Sequence, residues 1–152
     1  MNKAIHFSSK SNEWATPQKF FDDLNDEFEF TLAPCANESN HKCDKYYTVA
    51  QNGLIQNWGG EIVFCNPPYG REVTEWVRKF FHEVYAGDCH CAVMLLPART
   101  DTKWFHSYIY NKAEVRFIKG RLKFGGSKDA APFPSMVVIF RSCEKFEDYR
   151  RG

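Results

Sequence analysis

Twice in this chain a short, unbroken apolar run stops at a proline: Ile62-Val63-Phe64-Cys65 before Asn66-Pro67-Pro68, and Cys91 to Leu96 before Pro97. A strand with one wet face would show a polar residue at every second position, so these runs predict strands buried on both faces. Proline removes a ladder donor, which fixes where each run ends. After the first run, Val73, Trp76, Val77, Phe80, Phe81 and Val84 recur at helical spacing, and Gly87 stands where that helix should stop. After the second, a helix is expected from about Asp101 to Tyr110, with Trp104, Phe105, Tyr108 and Ile109 on its buried side. Val115 to Ile118 and Met136 to Phe140 read as further strands, joined by a loop rich in Gly, Pro and Lys. Upstream, a helix is predicted from Thr16-Pro17, with Thr16 as its cap and Pro17 at its first position. Phe20, Phe21, Leu24 and Phe28 share its apolar face, and Phe28 to Leu32 reads as a short strand.

Strands alternating with helices predict an α/β fold with a mostly parallel sheet and flanking helices. Ligands gather at the carboxyl ends of such strands, here the loops 33–40, 66–70 and 97–102. A length of 152 residues with 43% hydrophobic content fits a single domain over 1–152. Residues 1–12 read as a loose polar arm and 144–152 as a frayed, charged tail.

Met1 to Lys10 is too polar for a signal peptide, and no apolar run is long enough to span a membrane. The expectation is a cytoplasmic protein with reduced thiols. No two of its six cysteines show C-x-x-C spacing, and His41-Lys42-Cys43 and Cys89-His90-Cys91 match no usual zinc pattern, so no metal is assigned. Net charge is +1, but it is unevenly spread. Six acids face one lysine between Glu13 and Glu29, whereas eight bases face two acids between Arg99 and Lys128. A basic second half can contact phosphates, although a solvated surface has the same composition.

The residues with most chemical content are Asn66-Pro67-Pro68-Tyr69, at the end of the first buried run. A nucleobase amino group is a poor nucleophile because its lone pair is delocalised into the ring. Two acceptors aimed at its N–H bonds make it more amine-like. The Asn66 side-chain oxygen is one such acceptor and the Pro67 carbonyl the second, with both prolines fixing φ. Tyr69 offers a ring on which an extruded base can stack. The same four residues also make an ordinary rigid turn. The buried strand before them and the amphipathic helix after them favour the chemical reading.

The chain resembles the small phage-type DNA adenine methyltransferases, the Dam-like enzymes of phages and prophages. The resemblance runs from about Asn12 to Phe140. It is carried by Trp14-Ala15-Thr16-Pro17, Phe30 to Ala36, Asn52-Gly53-Leu54 before Trp58, Asn66 to Gly70, Leu95 to Thr102 and Gly120 to Phe124. It implies an abbreviated Rossmann-like methyltransferase core that binds S-adenosylmethionine and methylates the exocyclic amino group of adenine in double-stranded DNA, in a bacterial host cell. Such methylation protects phage or prophage DNA from restriction, or marks it. The catalytic motif would be Asn66, Pro67, Pro68 and Tyr69. The cofactor would meet Trp14, Thr16, Pro17, Ala33, Pro34, Cys35, Asn37 and Asn66. Arg99, Lys103, Arg121, Lys123 and Lys128 would contact DNA, and the Gly125-Gly126-Ser127 loop reads equally well as a phosphate contact or as a simple connection. The chain is short for a separate target-recognition domain, so modest sequence specificity and steeply salt-dependent affinity are expected.

Two positions depart from the family pattern: Ala33 and Asn52 stand where acids are expected. Each lost carboxylate removes a charge-assisted contact worth about 1.5–3 kcal/mol. Either a nearby acid such as Glu13 or Glu38 compensates, or the chain is a nucleic-acid-binding derivative with weak or lost activity. The motif itself also serves methylation of cytosine, RNA bases and protein glutamine.

Overall fold

The computed structural model describes residues 14–125 and 127–142. The arm, the tail and Glu13 lie outside the described residues. Helix α1 spans Gln18–Phe28 and α2 Val73–Tyr85; strands are β1 Ile62–Cys65, β2 Cys91–Pro97, β3 Glu114–Phe117 and β4 Ser135–Arg141. Gly53–Ile55 forms a 3₁₀ turn and Phe105–Ile109 a π-helical turn. The helix expected over 101–110 is therefore regular in neither length nor winding. Among the described residues, no helix is long and apolar enough to cross a membrane.

The sheet order is β1-β2-β4-β3. Among the described strands, only β1 and β2 pair in parallel; β4 is antiparallel to both β2 and β3. This corrects the expected mostly parallel ladder. A parallel pairing needs a crossover, usually a helix, and the described residues between β3 and β4 form no helix, so β4 returns directly beside β3 and inserts between it and β2. Two reversals cancel, so β1, β2 and β3 point one way and β4 the other. The strand expected over 28–32 shrinks to bridges: Leu32 pairs with Val63 and Ala33 with Tyr46, both parallel. Phe28 instead completes the apolar face of α1, which Glu29 ends in a left-handed turn at φ 56°.

The two helices cover opposite faces. On β4, Phe140 meets Phe80 of α2, while the next residue, Arg141, lies over Phe28 of α1. On β1, Phe64 packs against Phe21 of α1. β2 is buried along its whole length, as its unbroken apolar run requires.

A charged network ties α1 to the far edge of the sheet. Arg116 binds Glu27 through two N–H···O bonds of 2.7 Å, and Glu114 bonds both Arg116 and Arg141. The hydrogen bond from Arg116 holds the Glu27 carboxyl below its ordinary value of 4.5. Burial pushes Glu114 up, but its two arginines outweigh that and leave it lowered. Depressed carboxylates stabilise the fold above their unfolded-state values and lose that contribution as pH falls through the folded ones. Thermal melts should therefore fall below about pH 4.5, and Arg116→Ala should flatten that acid limb. An unchanged limb in the variant would remove the network as its cause.

Candidate active site

The first apolar run ends with Asn66 on the α1 side of the sheet, two residues beyond Phe64. There the Asn66 Nδ2 donates to the Trp14 carbonyl and, at 3.1 Å, to Thr16 Oγ1. The Trp14 carbonyl can only accept, so the amide orientation is fixed: NH₂ towards 14–16 and oxygen away from it. That oxygen, Asn66 Oδ1, is buried and has no partner. Thr16 was expected to cap α1. The helix has no side-chain cap, Pro17 occupies the cap position, and the Thr16 hydroxyl holds Asn66 instead.

A cleft of about 660 Å³ opens beside Asn66. Of the residues expected to meet a cofactor, Trp14, Thr16, Ala33, Pro34, Cys35, Asn37 and Asn66 line it, and Pro17 does not. Of the remaining motif residues Pro68 lines it, while Pro67 and Tyr69 do not. Tyr69 is buried, with its hydroxyl donating to the Leu95 carbonyl at 3.3 Å. Phe133 and Phe124 pack edge-on against its ring, centroids 5.5 and 6.4 Å away. Burial raises the phenol well above its ordinary value, so Tyr69 is a neutral ring and not a base.

Asn52 also lines the cleft. It sits in the left-handed region at φ 56°, and its side-chain oxygen accepts from Leu54 N to cap the 3₁₀ turn. Gly53 then presses against the opposite wall: a Cβ there would lie 2.1 Å from the Pro34 carbonyl oxygen. Sequence reading missed Lys42, Glu72, Glu75 and Trp76 on the cleft wall. Glu72 and Glu75 open the helix that follows the motif, and that position at the strand ends was the available signal. Glu38, considered as a compensating acid, does not line the cleft.

Among the described residues, no histidine lines the cleft. Its thiol, Cys35, touches Cys65, whose own thiol burial holds far above its ordinary value. Arg99, Lys103, Arg121, Lys123 and Lys128 all lie outside it on exposed positions. Arg121 is tethered to the Ala131 carbonyl at 3.3 Å, and Arg99 is close enough to Tyr69 for its charge to be felt there.

The family model for DNA N-6-adenine-methyltransferase (Dam) matches residues 5–149. A DNA N-6-adenine-methyltransferase of Haemophilus phage HP1 is 32% identical over 148 residues, covering 92% of this chain and 84% of the relative. One from Escherichia phage T1 is 32% identical over 111 residues, 72% of this chain but only 45% of that longer relative. With the family model covering most of its length and the amide of its motif held in place beside a cleft, this chain belongs to the DNA N-6-adenine-methyltransferase (Dam) family.

Proposed function

We propose that this chain carries out the reaction its family is named for, transfer of a methyl group to N6 of adenine in DNA, with S-adenosylmethionine as the donor. The observation that carries the reading is the buried, unpartnered Asn66 Oδ1 at the edge of the cleft. A buried acceptor without a partner asks for one, and an exocyclic amino group brings the donor it lacks. The cleft volume suits a cofactor of nucleoside size. When bound, the donor supplies an electrophilic methyl group. Trp14, Thr16 and the 33–37 wall would hold it, and Glu72 and Glu75 against Lys42 leave the cleft net negative, which favours a cationic ligand.

Asn66 Oδ1 would accept one N–H of the amino group and the Pro67 carbonyl the other, drawing the nitrogen towards a tetrahedral, nucleophilic form. The proton is lost after the methyl has moved, so no strong base is needed. Stacking on Tyr69 requires Phe124 or Phe133 to leave its face. The exposed bases from Arg99 to Lys128 would meet the backbone of double-stranded DNA. Three of the four strands point one way, which supports an abbreviated Rossmann-like methyltransferase core in one domain, acting in the cytoplasm of a bacterial host.

The test is incubation of plasmid DNA with isotope-labelled S-adenosylmethionine, digestion to nucleosides and mass detection. Labelled N6-methyladenine is expected. Label in cytosine alone would change the substrate, and no label with no calorimetric cofactor binding would leave a DNA-binding derivative.

A further inference from the structure

Among the described residues, two buried side-chain polar atoms have no hydrogen-bond partner, Asn66 Oδ1 and Ser135 Oγ. The first is explained by the amino group it would receive. The second is 1% exposed at the start of β4. A hydroxyl buried without a partner has lost water and gained nothing in return.

The two atoms share an end and a face of the sheet. Ser135 pairs with Pro97, the last residue of β2, and Asn66 follows Cys65, the last residue of β1. Because β4 runs backwards, its beginning lies beside the ends of the others. Side chains alternate along a strand. Arg141 of β4 lies over Phe28 of α1, so Ser135, six residues earlier, faces α1 as well. Asn66 does too, since it bonds Trp14 and Thr16 at the entry to α1. One strand, β2, separates them. At about 4.8 Å per strand, β1 and β4 lie roughly 10 Å apart, a span that a purine and two hydrogen bonds can bridge. Aromatic rings link their neighbours: Tyr69 bonds the β2 backbone, and Phe133, two residues before Ser135, packs against both Tyr69 and Trp14, whose carbonyl holds Asn66.

We infer that Ser135 is a specificity-determining residue that donates its hydroxyl proton to a ring nitrogen of the target adenine while Asn66 holds the N6 amino group. The inference rests on the adenine reading above. Of the ring nitrogens of adenine, N3 lies farthest from the amino group, opposite C6, so it is the acceptor that this span reaches, and it accepts without competing with Asn66 for the amino group. A pyrimidine held at Asn66 has a shorter ring system and reaches less far towards β4. Ser135 thereby favours a purine and reads its edge.

The experiment measures methyl transfer to four pools of random-sequence duplex oligonucleotides, in which the adenines are unmodified or uniformly 1-deaza-, 3-deaza- or 7-deazaadenine. In the unsubstituted protein, one deaza replacement should cost about 10-fold to 100-fold in kcat/KM, the usual worth of one base-edge hydrogen bond. Ser135→Ala should show a similar loss on adenine and lose its sensitivity to that one replacement, with cofactor affinity unchanged. If Ser135→Ala keeps every deaza penalty of the unsubstituted protein, or loses no activity on adenine, the inference is overturned. Inactivity of the unsubstituted protein on the adenine pool would instead sink the adenine reading itself. Should Ser135→Ala fail to fold, Ser135→Cys, of similar size and a weak donor, carries the same comparison with the same two outcomes.

Discussion

Asn66→Ala is expected to lower kcat by about 10³-fold or more, the scale seen when one pre-aimed hydrogen-bonding group is removed from a transition state. Cofactor affinity should stay within a few-fold, since the lost oxygen would face the acceptor base in the proposed reaction. The more discriminating change is Asn66→Asp. Elsewhere a carboxylate would be as good an acceptor as an amide. Here the amide's other half donates to the Trp14 carbonyl and to Thr16 Oγ1. An aspartate cannot donate to Trp14, and two oxygens would face each other. Asn66→Asp should therefore be impaired nearly as severely and should melt lower, while Asn66→Ala melts closer to the parent. Full activity in Asn66→Asp, by quench-flow methyl transfer, would show that Trp14 does not set the amide's orientation.

Gly53→Ala is the second large effect. The added methyl would lie 2.1 Å from the Pro34 carbonyl oxygen, a backbone atom of the cleft wall. That wall cannot yield alone. Ala33 is laddered to 45–47 through Lys45 and Tyr47, and the Gly53 carbonyl accepts from the buried Trp58 indole at 3.1 Å. Overpacking of this kind costs about 1–3 kcal/mol, and relief comes by pushing Pro34 into the cleft or 52–54 out of it. Cofactor affinity by calorimetry should fall on the order of 100-fold, together with a lower melting temperature. A variant that binds S-adenosylmethionine like the parent would detach this wall from the cofactor.

Sequence patterns reached what is set locally. β1, β2 and α2 follow from apolar runs and helical spacing, and prolines mark both strand ends. Asn66 could be placed beside a ligand-sized cleft because its motif sits at such an end. What escaped is set by residues distant along the chain. Thr16 has the local character of a cap, but its hydroxyl is claimed by a side chain fifty positions away. Tyr69 reads as an open stacking platform until residues 124 and 133 fold over it. The reversal of β4 has no periodic signature, because buried parallel and antiparallel strands share the same apolar content. Lys42, Glu72 and Glu75 converge on the cleft only once the sheet has brought their loops together.

The reversed strand has one more consequence. Since β3 leaves the sheet where β4 re-enters it, with Phe117 paired to Met136, residues 118–134 begin and end at the same rim. A segment anchored in this way can be lengthened, shortened or exchanged without shifting the register of the strands beneath it. Its Phe124 and Phe133 nevertheless pack against Tyr69 and Trp14, so any exchange of the segment also remakes the aromatic wall that includes Trp14, whose carbonyl holds Asn66.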